Sequence, residues 1–187
     1  MDAYLEIRLL PDPEFPQHFL MGALFGKLHR VLVELEADNI GLSFPDYSLA
    51  PRGLGERLRL HGTKQVLSAL MEQNWLKGMS DHVQCSEILP VPGHAQFRTV
   101  SRRQFKTSSE RLRRRRMKRK GETYEQASEA IPRHVERSPE LPYVQLRSQS
   151  TGQNFHLFIE QGTLLDHPQK AAFSSYGLSR EATVPWF

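Results

Sequence analysis

The chain has 187 residues, 39% hydrophobic and 25% charged, with a single cysteine and a formal net charge of +4. That length suits one large domain or two small ones, the composition suits a globular protein with a modest core, and the lone Cys85 excludes an internal disulfide and fits a reducing cytosol. No run approaches the roughly 18 apolar residues of a membrane span, and MDAYLEIRLL at the start lacks a basic leader, so neither a membrane anchor nor a signal peptide is expected and the cytoplasm is the expected setting.

In residues 3–9, Ala3, Leu5, Ile7 and Leu9 alternate with Tyr4, Glu6 and Arg8, the period-two pattern of a half-buried strand that Pro11, Pro13 and Pro16 end. Residues 17–36 place Leu20, Leu24, Leu28, Val31, Leu32 and Leu35 at spacings of three and four, an amphipathic helix. Ile40, Leu42 and Phe44 alternate again before Pro45, and residues 46–55, with Pro51, Gly53 and Gly55, read as a loop. A short strand around Leu58 and Leu60 follows, and Thr63 caps a helix through Val66, Leu67, Leu70 and Met71 that ends near Trp75 and Gly78. Residues 82–89 supply a fourth strand. This βαββαβ order is the ferredoxin-like arrangement.

Pro90, Pro92 and Gly93 mark a boundary. The chain is therefore expected to be α+β, with a ferredoxin-like domain over 1–93 and a smaller C-terminal domain over 94–187. Within the latter, 98–105 reads as extended and 109–120 as an arginine-rich helix. Thr123 with Gln126 forms a capping box for a further helix that Pro132 ends. Residues 141–147 and 155–159 read as a hairpin turning near Gly152, and short strands are expected at 173–177 and 184–187.

Charge is concentrated in one device. Residues 111–120, RLRRRRMKRK, carry eight positive charges in ten residues. Ser108 and Ser109 offer N-caps, Glu110 lies in the first turn, and Gly121 can close the end. Residues 102–120 hold 11 of the 25 Lys and Arg and one of the 21 Asp and Glu, so this stretch carries +10 and the rest of the chain −6. A basic helix on a mildly acidic body steers phosphates to itself and repels them elsewhere, which points to nucleic acid.

The acids are scattered and no DxD, HExxH, CxxC or Walker spacing occurs, so neither a carboxylate-bound metal centre nor a nucleotide hydrolase is expected. RNA allows cleavage without a metal, because its own 2′-hydroxyl attacks the adjacent phosphate once a general base removes the proton. Histidine is the natural base. The chain has eight histidines, and periodicity does not choose among His29 at the edge of the first helix's apolar stripe, His61 at a strand end, and His156 between Phe155 and Leu157. The run Leu146, Arg147, Ser148, Gln149, Ser150, Thr151, Gly152, Gln153 is a second concentration of polar groups at the hairpin turn, suited to phosphate and ribose contacts. Phe155 is either core or a stacking platform for a base.

Several segments together resemble one family. LRSQSTGQNFHLFI (146–159), SYGLS (175–179), VPWF (184–187), FGKLH (25–29), PDPEFP (11–16), LGERLRLHG (54–62) and SERLRRRRMKRK (109–120) are similar, in order along the whole chain, to the CRISPR repeat-processing endoribonucleases of type I-F systems, the Csy family. The resemblance implies a ferredoxin-like domain joined to one with an arginine-rich helix. It implies a cofactor-free and metal-independent endoribonuclease that cuts CRISPR precursor RNA at the 3′ base of the repeat stem-loop. The products carry a 2′,3′-cyclic phosphate and a 5′-hydroxyl, and the enzyme keeps the cut guide RNA. Its implied partners are the repeat hairpin, as precursor and mature guide, and the other subunits of the type I-F interference complex, with the protein a monomer on RNA.

Carried onto this sequence, His29 falls on the family's general-base histidine, Ser148 on the serine that positions the 2′-hydroxyl, Tyr176 on the tyrosine that orients the histidine, and Ser150 on a phosphate-supporting position. Arg102 and Gln104 match the pair that reads base edges at the foot of the stem, Arg to guanine and Gln to adenine. Arg115 and Arg119 match helix residues that enter the groove, with Arg114 and Lys118 on phosphates and Gln149 and Thr151 in the polar turn. Phe155 matches the aromatic that stacks on the terminal base pair. Arg116 departs from the pattern, standing where an apolar residue is usual, and Lys118 and Lys120 vary the basic set, keeping the charge without arginine's planar fork. The alternatives are a non-catalytic hairpin-binding subunit and a sequence-blind basic protein.

Overall fold

In the computed structural model, which describes residues 1–105, 109–132, 140–148 and 152–187, the alternating N-terminal stretch is a strand, β1 (Ala3–Leu9), with every odd-numbered side chain buried. It is followed by α1 (Gln17–Glu34), β2 (Gly41–Ser43), a small hairpin of β3 (Ser48–Leu49) and β4 (Arg52–Gly53), then β5 (Arg57–Gly62) and α2 (Lys64–Glu72). Two short strands, β6 (Val83–Cys85) and β7 (Leu89–Pro90), occupy the stretch expected to hold one; both pair antiparallel with β1, β6 beside Ile7–Leu9 and β7 beside Ala3 and Tyr4. The remaining elements are β8 (Gln96–Arg103), α3 (Ser109–Lys120), α4 (Tyr124–Ala130), β9 (Tyr143–Arg147), β10 (Asn154–Gln161) and β11 (Thr183–Trp186). The chain is thus α+β, with helices and antiparallel sheets mixed.

The first sheet has the order β2-β5-β1-β6 and the second β11-β8-β10-β9. Ile7 faces Leu58 across β1 and β5, and Phe155 faces Leu146 across β9 and β10. Thr63 caps α2 by accepting from the Val66 amide, as its side chain suggests. β5 departs from simple alternation. Leu58 and Leu60 are buried, and so are Arg59 and His61, which point to the opposite face. Arg59 is held there by Glu6 at 3.0 Å and by the rings of Tyr4 and Phe187, 5.3 and 4.0 Å from its guanidinium carbon.

The core is one apolar cluster that joins β1, α1, β2 and β5 to Val100, Val144, Leu146, Leu157, Ile159, Phe173 and Val184. Each fully buried Leu of α1 (Leu24, Leu28, Leu32) contributes about 1.5–3 kcal/mol over an exposed one. That cluster runs through both sheets, and the compact units are Met1–Arg103 with Leu141–Phe187, and Gln104–Glu140 by itself. Among the described residues no helix is long and apolar enough to cross a membrane.

The strand expected at 173–177 is a turn instead. Gly177 takes φ of +67°, outside the range of an extended strand, and its amide donates to the Ser174 carbonyl at 2.7 Å. The terminal strand expected at 184–187 is β11, paired with β8 from Thr183↔Thr99 to Trp186↔Gln96.

Candidate active site and nucleic-acid interface

α1 packs against β9 at close range because Gly22 has no side chain: a Cβ there would lie 2.7 Å from the Gln145 carbonyl oxygen. One turn on, Gly26 faces the Leu146 side chain. His29 lies one further turn along α1. The periodicity of α1 puts Leu28 in the core and leaves His29 half-buried at its margin.

The imidazole of His29 is fixed on two sides. Nδ1 donates to the main-chain carbonyl of Ser175 at 2.9 Å. The ring lies flat on Tyr176, centroids 3.9 Å apart and planes 12° from parallel. Tyr176 is itself stacked on Phe25, one turn before His29 on α1, at 6.1 Å. Arg102, half-buried on β8, holds its guanidinium carbon 5.6 Å from the Tyr176 centroid and 6.0 Å from that of Phe155, the range of weak cation–π attraction. Phe155 is on the β10 face that carries the buried Leu157 and Ile159, but is itself half-buried. His29, Tyr176, Arg102 and Phe155 therefore form one cluster drawn from α1, the 173–178 turn, β8 and β10.

Ser148 closes β9. Its amide donates to the Gln153 carbonyl at 2.9 Å and its carbonyl accepts from Gly152, whose φ of +67° makes the turn. Gln149, Ser150 and Thr151, expected at this turn, lie outside the described residues, as does Ser108.

The other histidines weighed as bases separate by burial. His61 is fully buried, shares a 2.8 Å hydrogen bond with Ser43 through Nε2, and is driven by burial, then by the nearby Arg59 charge, to a pKa of about 3. It is a neutral core residue. His156 is exposed on the opposite face of the second sheet from Phe155, stacked at 4.1 Å on Tyr143.

In the unit Gln104–Glu140, the basic helix is amphipathic in an unusual sense. Gln104 is exposed at its start. Arg111, Arg114, Arg115, Lys118 and Arg119 fall at i, i+3, i+4, i+7 and i+8, and all are exposed. The opposite face is turned inward, and arginine serves there as a structural residue. Arg113 is buried, donating to the Ile131 carbonyl at 2.9 Å and to the Tyr124 hydroxyl at 3.3 Å. Tyr124 in turn donates to Glu110 at 3.1 Å. Arg116 is bound to Glu122, whose carboxyl is held below the usual carboxylate range chiefly by that hydrogen bond. The Thr123–Gln126 capping box is formed at the start of α4, and Gly121 ends α3 at φ +67° with its amide on the Met117 carbonyl.

Two features escaped the sequence. The Ser175 carbonyl is a main-chain group, with Gly177 as its only residue-level signal. The inward roles of Arg113 and Arg116 were foreshadowed by the acids flanking the run, Glu110 and Glu122, and for Arg116 by its standing where an apolar residue is usual.

Two curated relatives, each called CRISPR-associated endonuclease Cas6/Csy4, from Escherichia coli (strain UTI89 / UPEC) and Pseudomonas aeruginosa (strain UCBPP-PA14), are each 51% identical over 187 residues, all of this chain and all of theirs. The family model for the CRISPR-associated protein Cas_Csy4 matches residues 4–187. With half of its residues shared end to end and the family pattern running almost from the first residue to the last, the chain belongs to the Csy4 family of CRISPR-associated proteins.

Proposed function

We propose that this chain is a metal-independent endoribonuclease that cuts CRISPR precursor RNA at the 3′ base of the repeat stem-loop and stays bound to the mature hairpin. The observation that carries the reading is the anchored imidazole: a half-buried histidine, stacked on Tyr176 and tied to the Ser175 carbonyl, at the margin of a cluster that also presents Arg102 and Phe155. The relatives' name, CRISPR-associated endonuclease, supports the same conclusion.

In this scheme His29 removes the proton from the 2′-hydroxyl, whose oxygen attacks the adjacent phosphorus as the 5′-oxygen leaves. The products are a 2′,3′-cyclic phosphate and a 5′-hydroxyl. A positioned base contributes about 10²–10⁴-fold, and holding the ribose in line contributes further. Ser148 is the ribose anchor and Ser150 supports the phosphate. Phe155 offers its ring to the terminal base pair, and Arg102 and Gln104 read the bases next to it. The exposed face of α3, with Arg114, Arg115, Lys118 and Arg119, supplies affinity through phosphates and groove edges, assisted by Gln149 and Thr151 at the hairpin turn. Arg116, bound to Glu122, belongs to the folding of its own unit rather than to the RNA.

The strand order β2-β5-β1-β6, interleaved with α1 and α2, supports the ferredoxin-like reading of the first sheet. We further infer a cytoplasmic protein that joins the type I-F interference complex as a monomer on its RNA.

Incubation with a CRISPR repeat hairpin in EDTA tests the reading. Cleavage at the stem foot by the intact protein, abolished by His29→Ala without loss of hairpin binding, is expected. Binding with no cut product makes the chain a non-catalytic hairpin-binding subunit, and cleavage that His29→Ala leaves unchanged removes His29 from the chemistry.

A further inference from the structure

The bond that anchors His29 ends on a main-chain oxygen, so its geometry follows the backbone of the 173–178 turn. A carbonyl oxygen only accepts. The bond therefore places the proton of the neutral ring on Nδ1 and leaves the lone pair on Nε2.

What holds that carbonyl in place is a set of contacts on both sides of it. Before it, the Phe173 amide donates to the Asp38 carbonyl at 2.8 Å, and the Ser174 amide and hydroxyl both donate to the Leu178 carbonyl at 2.9 Å. After it, the Gly177 amide donates back to the Ser174 carbonyl, and the Gly177 carbonyl accepts at 3.0 Å from the amide of Leu42, the central residue of the edge strand β2. Gly177 is the residue through which the turn reaches the sheet, and it is constrained twice. Its φ of +67° is one that side chains rarely adopt, and a Cβ would come within 2.8 Å of Leu42 Cδ2, 3.1 Å of Leu42 Cγ and 3.4 Å of the Ile40 carbonyl oxygen. A side chain there must either push Leu42, which is fully buried, or lift the turn off β2.

We propose that Gly177 is a positioning residue for the cleavage reaction: its left-handed, side-chain-free turn holds the Ser175 carbonyl and the Tyr176 ring against His29, which fixes the Nδ1–H tautomer and leaves Nε2 as the nitrogen that accepts the ribose proton. The inference rests on His29 being the general base. Once the turn lifts, the ring loses its acceptor and its stacking partner together. The competing tautomer, with the proton on Nε2, has no lone pair there to receive a proton.

The test is a long-range ¹H–¹⁵N correlation spectrum of the full chain labelled with ¹⁵N-histidine at alkaline pH, with the His29 signals assigned by difference from His29→Ala. In the unaltered protein the His29 nitrogens are expected to report the Nδ1–H tautomer. Gly177→Ala is expected to shift them toward a mixture and to slow single-turnover hairpin cleavage by about 10²-fold, the lower end of what a positioned base contributes, with hairpin affinity unchanged. Gly177→Asn, whose side chain tolerates a left-handed φ better, should fall between Gly and Ala in both readouts. A proton on Nε2 in the unaltered protein overturns the proposal, and this spectrum decides even if the alanine variant does not fold. So does a folded Gly177→Ala that keeps both the tautomer and the cleavage rate. Undiminished cleavage by His29→Ala is a separate result and removes the general-base reading instead.

Discussion

The imidazole of His29 and the phenol ring of Tyr176 are stacked face to face, 3.9 Å between centroids and 12° from parallel. The contact is made by the ring, so the face of Tyr176 is what limits how far the imidazole can swing. Replacing Tyr176 by Phe keeps that face and is expected to leave single-turnover cleavage close to that of the intact protein. Replacing it by Ala removes the face and is expected to slow cleavage by about 10²-fold with hairpin affinity retained. A Phe variant as slow as the Ala variant assigns the role to the hydroxyl.

Arg102 stands over both Tyr176 and Phe155, which puts the residue expected to read a base edge beside the ring stacked on His29. Arg102→Ala is expected to relax base preference at the foot of the stem at a cost of about 1–3 kcal/mol, measured as the ratio of cleavage rates on cognate and substituted hairpins. Equal loss on every hairpin sequence contradicts base reading by Arg102.

Two neighbours on α3 should behave oppositely. Arg113 is buried against α4 and donates to Ile131 and Tyr124, so Arg113→Ala is expected to destabilise its unit by about 1.5–3 kcal/mol, read from the helical circular dichroism on denaturant titration. Arg115 is exposed, and Arg115→Ala is expected to change stability by less than about 0.5 kcal/mol. It should instead lower the slope of log affinity against log salt by about 1, the loss of one phosphate contact.

His61 makes folding sensitive to acid. Its folded pKa of about 3 is below the roughly 6.5 of an unfolded histidine, so between those values the unfolded chain binds a proton that the folded chain does not. Stability therefore falls as the pH drops from about 6.5 toward 3, by at most about 1.4 kcal/mol per unit from this group. Denaturant midpoints measured across that window should fall more steeply for the intact protein than for His61→Gln. Parallel curves would show that His61 is charged in the folded state.

Local patterns were legible wherever one face decides the matter. The odd-numbered side chains of β1, the leucine stripe of α1, the Thr63 cap and the Thr123–Gln126 box all appear where period and capping chemistry put them. The 173–177 segment misled because its two aromatics, Phe173 and Tyr176, favour strands, while the left-handed Gly177 and the bonds to Asp38 and Leu42 make it a turn. His29 was not separable from His61 or His156 by periodicity. What distinguishes it is a partner 146 positions away, and what disqualifies His61 is burial on both faces of β5, a property of how the C-terminal strand folds back. The resemblance to a family, carried by segments in order along the whole chain, named His29, Ser148 and Tyr176 where pattern alone left the base open.

In the proposed reaction the RNA supplies its own nucleophile and His29 activates it. That step is tested most directly by a repeat hairpin carrying a single 2′-deoxy substitution at the nucleotide immediately 5′ of the scissile phosphate, incubated with the intact protein in EDTA. The expected result is unchanged hairpin affinity with no cleavage, alongside cleavage of the all-ribose hairpin to a 2′,3′-cyclic phosphate end. Cleavage of the 2′-deoxy hairpin at the same bond would contradict it, because the attacking oxygen must then come from water or from the protein.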